Sequence, residues 1–142
     1  MDNKRDKIKK NKKLFAPMIN KIKDKIQLDA FILFGSRSKG DFHPHSDYDV
    51  VIVGAFKENY LKRGEWVIEY APLIAIDLFT YTPEEFDQLF HQYNLTAIDS
   101  IGEGIPLYGK EFFKKYQKIY NKFKEQGMEK DYKYEVLIPP NI

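Results

Sequence analysis

Residues 30–54 read AFILFGSRSKGDFHPHSDYDVVIVG, two apolar runs joined by a polar connection. The first run ends at Gly35, and a short apolar run bounded by a turn residue is typical of a buried strand. The second run predicts another strand, which begins with two carboxylates, Asp47 and Asp49. Side chains of a strand alternate between its faces, so these two acids project the same way, with Cα atoms about 7 Å apart.

A third acid interrupts another apolar run. Residues 73–79, LIAIDLF, predict a third strand, and Asp77 is its only charged residue. If this strand neighbours the second one, Asp77 can join Asp47 and Asp49 at one end of the sheet. Carboxylates in such a cluster lose hydration and repel one another, and both effects are unfavourable unless a cation is present. Mg²⁺ fits, because it prefers oxygen ligands and binds through a few carboxylates plus substrate phosphates.

The polar connection supplies groups that suit a triphosphate. Gly35 and Ser36 offer backbone N–H groups and a hydroxyl, and Arg37 and Lys39 can offset phosphate charge. Two Mg²⁺ ions about 3.5–4 Å apart can bind both the attacking and the leaving oxygen of an in-line displacement at phosphorus. The pattern therefore indicates phosphoryl or nucleotidyl transfer. A P-loop is excluded, because residues 41–42 are Asp-Phe where Lys-Ser or Lys-Thr is required.

The rest of the chain predicts helices that cover the sheet. An apolar stripe predicts an amphipathic first helix, starting or bending near Pro17, from Ile8, Phe15, Ile19, Ile22 and Ile26. Thr82 and Glu85 form a capping-box pattern, which predicts a helix from Pro83 to about Tyr93. We further expect helices over 58–70, 97–102 and 110–126, an edge strand at 105–108, and an extended or disordered tail over 131–142. Together these elements predict an α/β (α+β) fold with a small mixed sheet of three to five strands.

Composition limits the class of protein. The 142 residues favour one domain, and 43% hydrophobic with 15% aromatic residues exclude a disordered chain. The chain has no cysteine, which excludes disulfides and thiolate chemistry. It also has no signal-peptide pattern and no apolar run of about 18 residues, so we expect a cytoplasmic protein without membrane contact.

Charge is distributed unevenly along the chain. The net charge is +2, yet residues 1–25 carry ten Lys and Arg against three Asp, or +7, which leaves −5 on residues 26–142. A basic N-terminal segment either contacts nucleic acid or an acidic partner, or is a solvated helix or arm. The sequence favours the solvated segment.

Three motifs together resemble a known signature. Residues 35–40 (GSRSKG), 46–50 (SDYDV) and 76–78 (IDL) resemble the DNA polymerase β nucleotidyltransferase superfamily, and within it the minimal nucleotidyltransferases, or MNT proteins. The resemblance extends from Phe15 to Tyr108. It implies a basic arm at 1–14, a nucleotidyltransferase domain at 15–109, and a C-terminal helix and tail at 110–142.

The resemblance also implies residue roles. Asp47, Asp49 and Asp77 are expected to be the catalytic residues and to hold two Mg²⁺ ions, with Mn²⁺ as an alternative; Asp77 is also expected to help deprotonate the attacking hydroxyl. The nucleotide is expected to bind at Gly35, Ser36, Arg37, Lys39 and Ser46.

Little chain lies beyond the region of resemblance, so we expect another molecule to carry the acceptor. The MNT resemblance suggests a HEPN-type toxin whose tyrosine receives AMP from ATP, with this chain as antitoxin. Three alternatives stay open: transfer to a small hydroxylated molecule such as an aminoglycoside, transfer to an RNA 3′ end, and a non-catalytic antitoxin that only binds its partner. A homo-oligomer is also compatible with the sequence.

Overall fold

The computed structural model describes residues 4–35, 48–134 and 136–141. The helices are α1 (Lys4–Lys25), α2 (Tyr60–Val67), α3 (Pro83–His91), α4 (Leu95–Gly102) and α5 (Lys110–Glu125), with a 3-10 turn at Ile68–Tyr70. The strands are β1 (Leu28–Phe34), β2 (Tyr48–Gly54), β3 (Ile76–Tyr81), β4 (Ile105–Tyr108), β5 (Glu129–Asp131) and β6 (Val136–Ile138). Within these residues, no helix is both long and apolar enough to span a membrane.

Four strands form the main sheet, in the order β3-β2-β1-β4. β1 is antiparallel to both β2 and β4, whereas β2 and β3 are parallel. The predicted mixed sheet is confirmed, and β4 lies at its edge as predicted. Because β2 and β3 are neighbours, the condition for bringing their acids together is met.

Both faces of the sheet are buried. In β1, Phe31 and Leu33 point to a core with α1 and α2, while Ala30 and Ile32 point to a core with α3, α4 and α5. Burial on both faces explains why residues 30–34 of β1 and 50–53 of β2 are continuously apolar in sequence instead of alternating.

α1 begins earlier than predicted, at Lys4, and Pro17 lies inside it. Pro17 cannot donate to the carbonyl of Lys13, but both residues are exposed, so water can satisfy that carbonyl. The predicted stripe covers the sheet, with Phe15 and Ile22 fully buried. Residues 4–14 of the predicted basic arm are helical.

The other helices follow their sequence signals closely. Thr82 and Glu85 form the predicted capping box, and α3 begins at Pro83. Asn59 caps α2, with its side chain accepting a hydrogen bond from the Lys62 amide. β3 begins three residues later than predicted because the preceding residues turn, with the Ile74 amide donating to the Pro72 carbonyl.

The C-terminal tail is ordered into a hairpin, which the prediction of an extended or disordered tail missed. β5 pairs antiparallel with β6. Met128 is buried, and Leu137 packs against the core beneath α3, α4 and α5. The Asn141 amide donates to the Gln126 carbonyl at 2.7 Å, which ties the tail back to the end of α5.

Candidate active site

Asp49 and Asp77 are register partners on the parallel strands β2 and β3. Partners on adjacent parallel strands point to the same face, and neighbouring strands lie about 4.8 Å apart. Each acid is the second residue of its strand, so both lie at the same end of the sheet. The structure therefore brings together two of the three predicted carboxylates.

The two acids extend the face that carries the core under α3, α4 and α5. Alternation places Asp49 on the same face as Val51, and Asp77 on the same face as Phe79, and both apolar residues belong to that core. The Phe34 and Phe79 rings lie 6.0 Å apart and close the core next to the acids. Asp49 is half-buried and Asp77 is exposed, so the pair is accessible from solvent.

Gly35 lies against Asp49. It follows Phe34, which pairs with Asp49 across the antiparallel strands. Its φ of 82° lies in the left-handed region, and Oδ2 of Asp49 fills the space where a Cβ at position 35 would stand. Glycine at this position allows the backbone to turn beside the carboxylate.

The acid pair suits a divalent cation. Like charges directly opposite on neighbouring strands destabilise a sheet, and a cation between them removes that repulsion. Two carboxylates on adjacent strands offer the hard oxygen ligands that Mg²⁺ prefers. Among the residues that the structure describes, no group of three acids or histidines could hold a metal ion. The predicted third ligand, Asp47, lies outside those residues.

Most of the predicted nucleotide-binding residues also fall outside the described ranges: Ser36, Arg37, Lys39 and Ser46. Of that predicted set, Gly35 alone is described. The roles of all these residues, and of the three acids, stay predictions.

The sequence did not reveal how the strand that carries Asp77 is held. β3 is an edge strand, and side chains of α2 bond to its backbone. Tyr60 Oη donates to the Leu78 carbonyl at 3.3 Å, and Arg63 Nη1 donates to the Thr80 carbonyl at 3.3 Å. α2 therefore protects this edge and fixes the strand beside the acid pair.

Arg63 is buried and connects α2 with the start of α3. Its Nη1 lies 2.8 Å from Glu85 Oε1, which also accepts from the Thr82 amide at 2.8 Å. Burial disfavours ionised Glu85, but hydrogen bonds from Thr82 and Arg63 outweigh it, so the pKa of Glu85 lies below its ordinary value. The capping-box pattern pointed to Glu85, whereas no local pattern pairs residue 63 with residue 85.

A cleft of about 440 Å³ lies beyond the opposite end of β2. It is lined by Trp66 and Tyr70 with Lys25, Lys57 and Glu58. The charges of its lining are mixed, and none of the predicted site residues that the structure describes, Gly35, Asp49 and Asp77, lines it. We therefore place the candidate site at the acid pair.

A family model and several solved structures match this chain. A family model described as a nucleotidyltransferase domain matches residues 18–138. A crystal structure of a provisional nucleotidyltransferase from Sulfolobus solfataricus has a TM-score of 0.53 at 19% identity, over 78% of this chain and 91% of that one. This likeness shows the fold.

Two further solved structures are more distant. The toxin–antitoxin MntA-HepT has a TM-score of 0.46 at 16% identity, over 82% of this chain and 90% of that one. A structure of a toxin–antitoxin with AMP-PNP has a TM-score of 0.40 at 17% identity, over 81% of this chain and 94% of that one. No curated protein matches the chain. Because the family model covers most of its residues, this chain belongs to the nucleotidyltransferase domain family.

Proposed function

We propose that this chain transfers a nucleoside monophosphate, namely AMP from ATP, to a hydroxyl group on a partner protein. The proposed acceptor is a tyrosine of a HEPN-type toxin, and the chain acts as the antitoxin. The observation that carries the transferase proposal is the in-register pair Asp49 and Asp77 beside Gly35, in a chain of the nucleotidyltransferase domain family.

Asp47, Asp49 and Asp77 would hold Mg²⁺, with Mn²⁺ as an alternative. Bound there, the metal would neutralise phosphate charge and polarise the phosphorus–oxygen bonds. Asp49 Oδ2 lies beside Gly35, in the space that a Cβ at position 35 would occupy. Ser36, Arg37, Lys39 and Ser46 would bind the triphosphate together with the Gly35 backbone.

The transfer forms one bond and breaks another at the α-phosphorus. The acceptor hydroxyl oxygen bonds to this phosphorus, and the bond to the bridging oxygen breaks, so that pyrophosphate leaves with the electron pair. The hydroxyl proton passes to the Asp77 carboxylate and then to solvent. Asp77 suits this role because it is exposed on the edge strand, where an acceptor can approach.

The acceptor is proposed to be a separate molecule. The described residues form one main sheet with its helices and a short hairpin, and they contain no second substrate domain. The motif resemblance to minimal nucleotidyltransferases supports a HEPN-type partner. Neither the acid pair nor the fold favours a small-molecule or RNA acceptor over a protein. Both are therefore included in the test as competing acceptors.

The test incubates the chain with α-labelled NTPs and Mg²⁺ or Mn²⁺, together with the product of the neighbouring gene, an RNA oligonucleotide or an aminoglycoside. Mass analysis identifies the acceptor. We expect AMP on a tyrosine of the protein partner, and no transfer by the Asp49→Asn/Asp77→Asn variant, with folding checked by circular dichroism. Labelling of no acceptor rejects the transferase proposal. Unchanged neutralisation of the partner by that variant favours the non-catalytic antitoxin instead.

A further inference from the structure

The cleft beyond the end of β2 combines aromatic walls with charges of both signs. We call it the Trp66 cleft. Its aromatic lining is Trp66 and Tyr70, and its charged lining is Lys25, Lys57, Glu58 and Glu69. Its volume is about 440 Å³. Pockets that hold small molecules have volumes of roughly 300–1,000 Å³, so the cleft is large enough for a ligand of its own.

The Trp66 cleft is separate from the acid pair. Asp49 is the second residue of β2, and the strand ends at Gly54. The five residues between these positions span about 17 Å, because a strand rises about 3.3 Å per residue. The cleft-lining residue Ile26 lies against Gly54, at the far end of the strand. A small molecule in the cleft therefore does not reach the carboxylates of the acid pair.

One wall of the cleft is formed where α1 ends beside β2. A Cβ at Gly54 would meet the Ile26 side chain and the Gln27 carbonyl, so the two segments are in close contact. The Ala55 amide donates to the Gln27 carbonyl at 2.9 Å. These contacts fix the end of α1 against the segment that follows β2.

The other wall is formed by α2 and the 3-10 turn after it. The centroid of the Trp66 ring lies 5.8 Å from that of Phe56 and 6.4 Å from that of Tyr70. Arg63 Nε donates to the Glu58 carbonyl at 2.8 Å, which ties α2 to the segment after β2. Hydrogen bonds and ring packing thus hold both walls, as in the largely preformed pockets of binding proteins.

The indole N–H of Trp66 is a buried donor at this cleft. No residue in the described ranges accepts a hydrogen bond from it. The pKa of Glu58 lies below its ordinary value because its own amide and the Lys57 amide donate to the carboxylate, and the Trp66 N–H adds a smaller effect. The N–H is therefore directed towards the cleft-lining carboxylate without bonding to it. Since buried donors are nearly always paired, an acceptor atom of a ligand beside Glu58 would complete it.

The four charged side chains of the cleft are available to a ligand. No ion pair joins any of them to another residue in the part of the chain that the structure describes. The Lys25 ammonium lies 5.8 Å from the centre of the Tyr70 ring, so a cation borders the aromatic wall. Two carboxylates beside two lysines disfavour a polyphosphate. A molecule that carries one group of each sign can instead pair with both.

We propose that the Trp66 cleft binds a small aromatic zwitterion, of the size of an amino acid or a dipeptide. The aromatic body packs on Trp66 and Tyr70, the ligand carboxylate faces the lysines, and the ligand ammonium faces the glutamates. This inference goes beyond the proposed function and does not depend on it.

The test uses the fluorescence of Trp66, which is the only tryptophan of the chain and so reports on this cleft alone. The probes are L-phenylalanine and the dipeptide L-phenylalanylglycine, which distinguish an amino acid from a peptide. A saturable change in tryptophan emission is expected with at least one of them. Phenylpropionate lacks the ammonium and phenylethylamine lacks the carboxylate. Each is expected to bind about tenfold more weakly than L-phenylalanine, since one charge-assisted hydrogen bond is lost.

Two variants assign the charges of the ligand to the charges of the cleft. Lys25→Gln/Lys57→Gln is expected to bind L-phenylalanine about tenfold more weakly and phenylethylamine as the wild type does, because only the carboxylate contact is removed. Glu58→Gln/Glu69→Gln is expected to weaken L-phenylalanine and leave phenylpropionate unchanged. Circular dichroism checks folding, and Glu69→Gln alone, at an exposed position, keeps the test valid if the double variant unfolds.

The matched controls alter the same residue types at exposed positions on α5. They are Lys114→Gln/Lys118→Gln and Glu111→Gln/Glu125→Gln, and both are expected to bind L-phenylalanine as the wild type does. Asp49→Asn/Asp77→Asn is also expected to keep this binding. Loss of transfer in that variant therefore bears on the proposed function, and its phenylalanine affinity bears on the cleft.

Several outcomes overturn the zwitterion site. These are no saturable fluorescence change with either probe, wild-type affinity in both cleft variants, or equal weakening in the α5 controls. Displacement of the probe by MgATP would place it at the nucleotide site instead. A fluorescence change caused by ATP alone and lost in Lys25→Gln/Lys57→Gln would identify the cleft as a nucleotide site and reject the zwitterion.

Discussion

The Asp49 carboxylate fills the space in which a side chain at position 35 would begin. Gly35 also has a φ of 82°, a conformation that L-residues rarely adopt. The turn after β1 and the first acid of β2 therefore constrain each other. Glycine is required here both by backbone conformation and by the space that the carboxylate occupies.

Gly35→Ala is predicted to lower the free energy of unfolding by about 1–3 kcal/mol, because of the left-handed backbone conformation. It should also abolish nucleotidyl transfer, since the new methyl group must displace Asp49. Urea unfolding measures the first effect and a labelled-ATP assay measures the second. Wild-type stability together with wild-type transfer would show that the backbone at position 35 does not contact Asp49.

Gly64→Ala is predicted to stabilise the protein, in contrast to Gly35→Ala. Gly64 lies within α2, and a Cβ built there meets no other atom within 4 Å. The substitution is expected to raise the free energy of unfolding by about 0.5–1 kcal/mol, because alanine loses less conformational entropy in a helix. Thermal melting measures this gain. A lower melting temperature would contradict the helical environment described for residue 64.

The sequence predicted the acid pair because its causes are local. Alternation along a strand placed Asp49, and the single charge in an apolar run marked Asp77. Only the pairing of β2 with β3 was left conditional, and the structure supplies it. The capping box at Thr82 and Glu85 was predictable for the same reason, since both partners lie within one helical turn.

Contacts between distant segments were not predictable from the sequence. Arg63 meets Glu85 and the Thr80 carbonyl across 22 and 17 residues, and no periodicity links these positions. The C-terminal hairpin was missed because its strands are three residues long, too short to show alternation. Its order depends on the burial of Met128 and Leu137 against a core built by earlier elements.

Asp77→Asn is predicted to change the response to metal. Without Mg²⁺, the variant should be more stable than the wild type by about 0.2–1 kcal/mol, because a like-charge pair across neighbouring strands is removed. With Mg²⁺ and ATP, the melting temperature of the wild type should rise and that of the variant should rise less, because a ligand stabilises the folded state more when it binds more tightly. Differential scanning fluorimetry with and without EDTA measures both effects.

Glu111→Gln is the control for that experiment, because Glu111 is an exposed acid on α5 away from the pair. It should respond to Mg²⁺ as the wild type does. A full metal response in Asp77→Asn would remove Asp77 from the proposed ligand set.

The Arg63–Glu85 pair is predicted to make stability depend on pH. Because the pKa of Glu85 is lowered in the folded protein, its contribution is present above the unfolded value of 4.5 and is lost as the pH falls through the folded pKa. Glu85→Gln should therefore be less stable than the wild type at neutral pH, and the difference should shrink in acid.

Arg63→Met should lower the free energy of unfolding by about 1–3 kcal/mol at neutral pH, because it leaves buried acceptors without a donor. Urea unfolding across this pH range measures both variants, with Glu84→Gln, an exposed neighbour in the same helical turn, as control. A constant difference between Glu85→Gln and the wild type at every pH would contradict the lowered pKa.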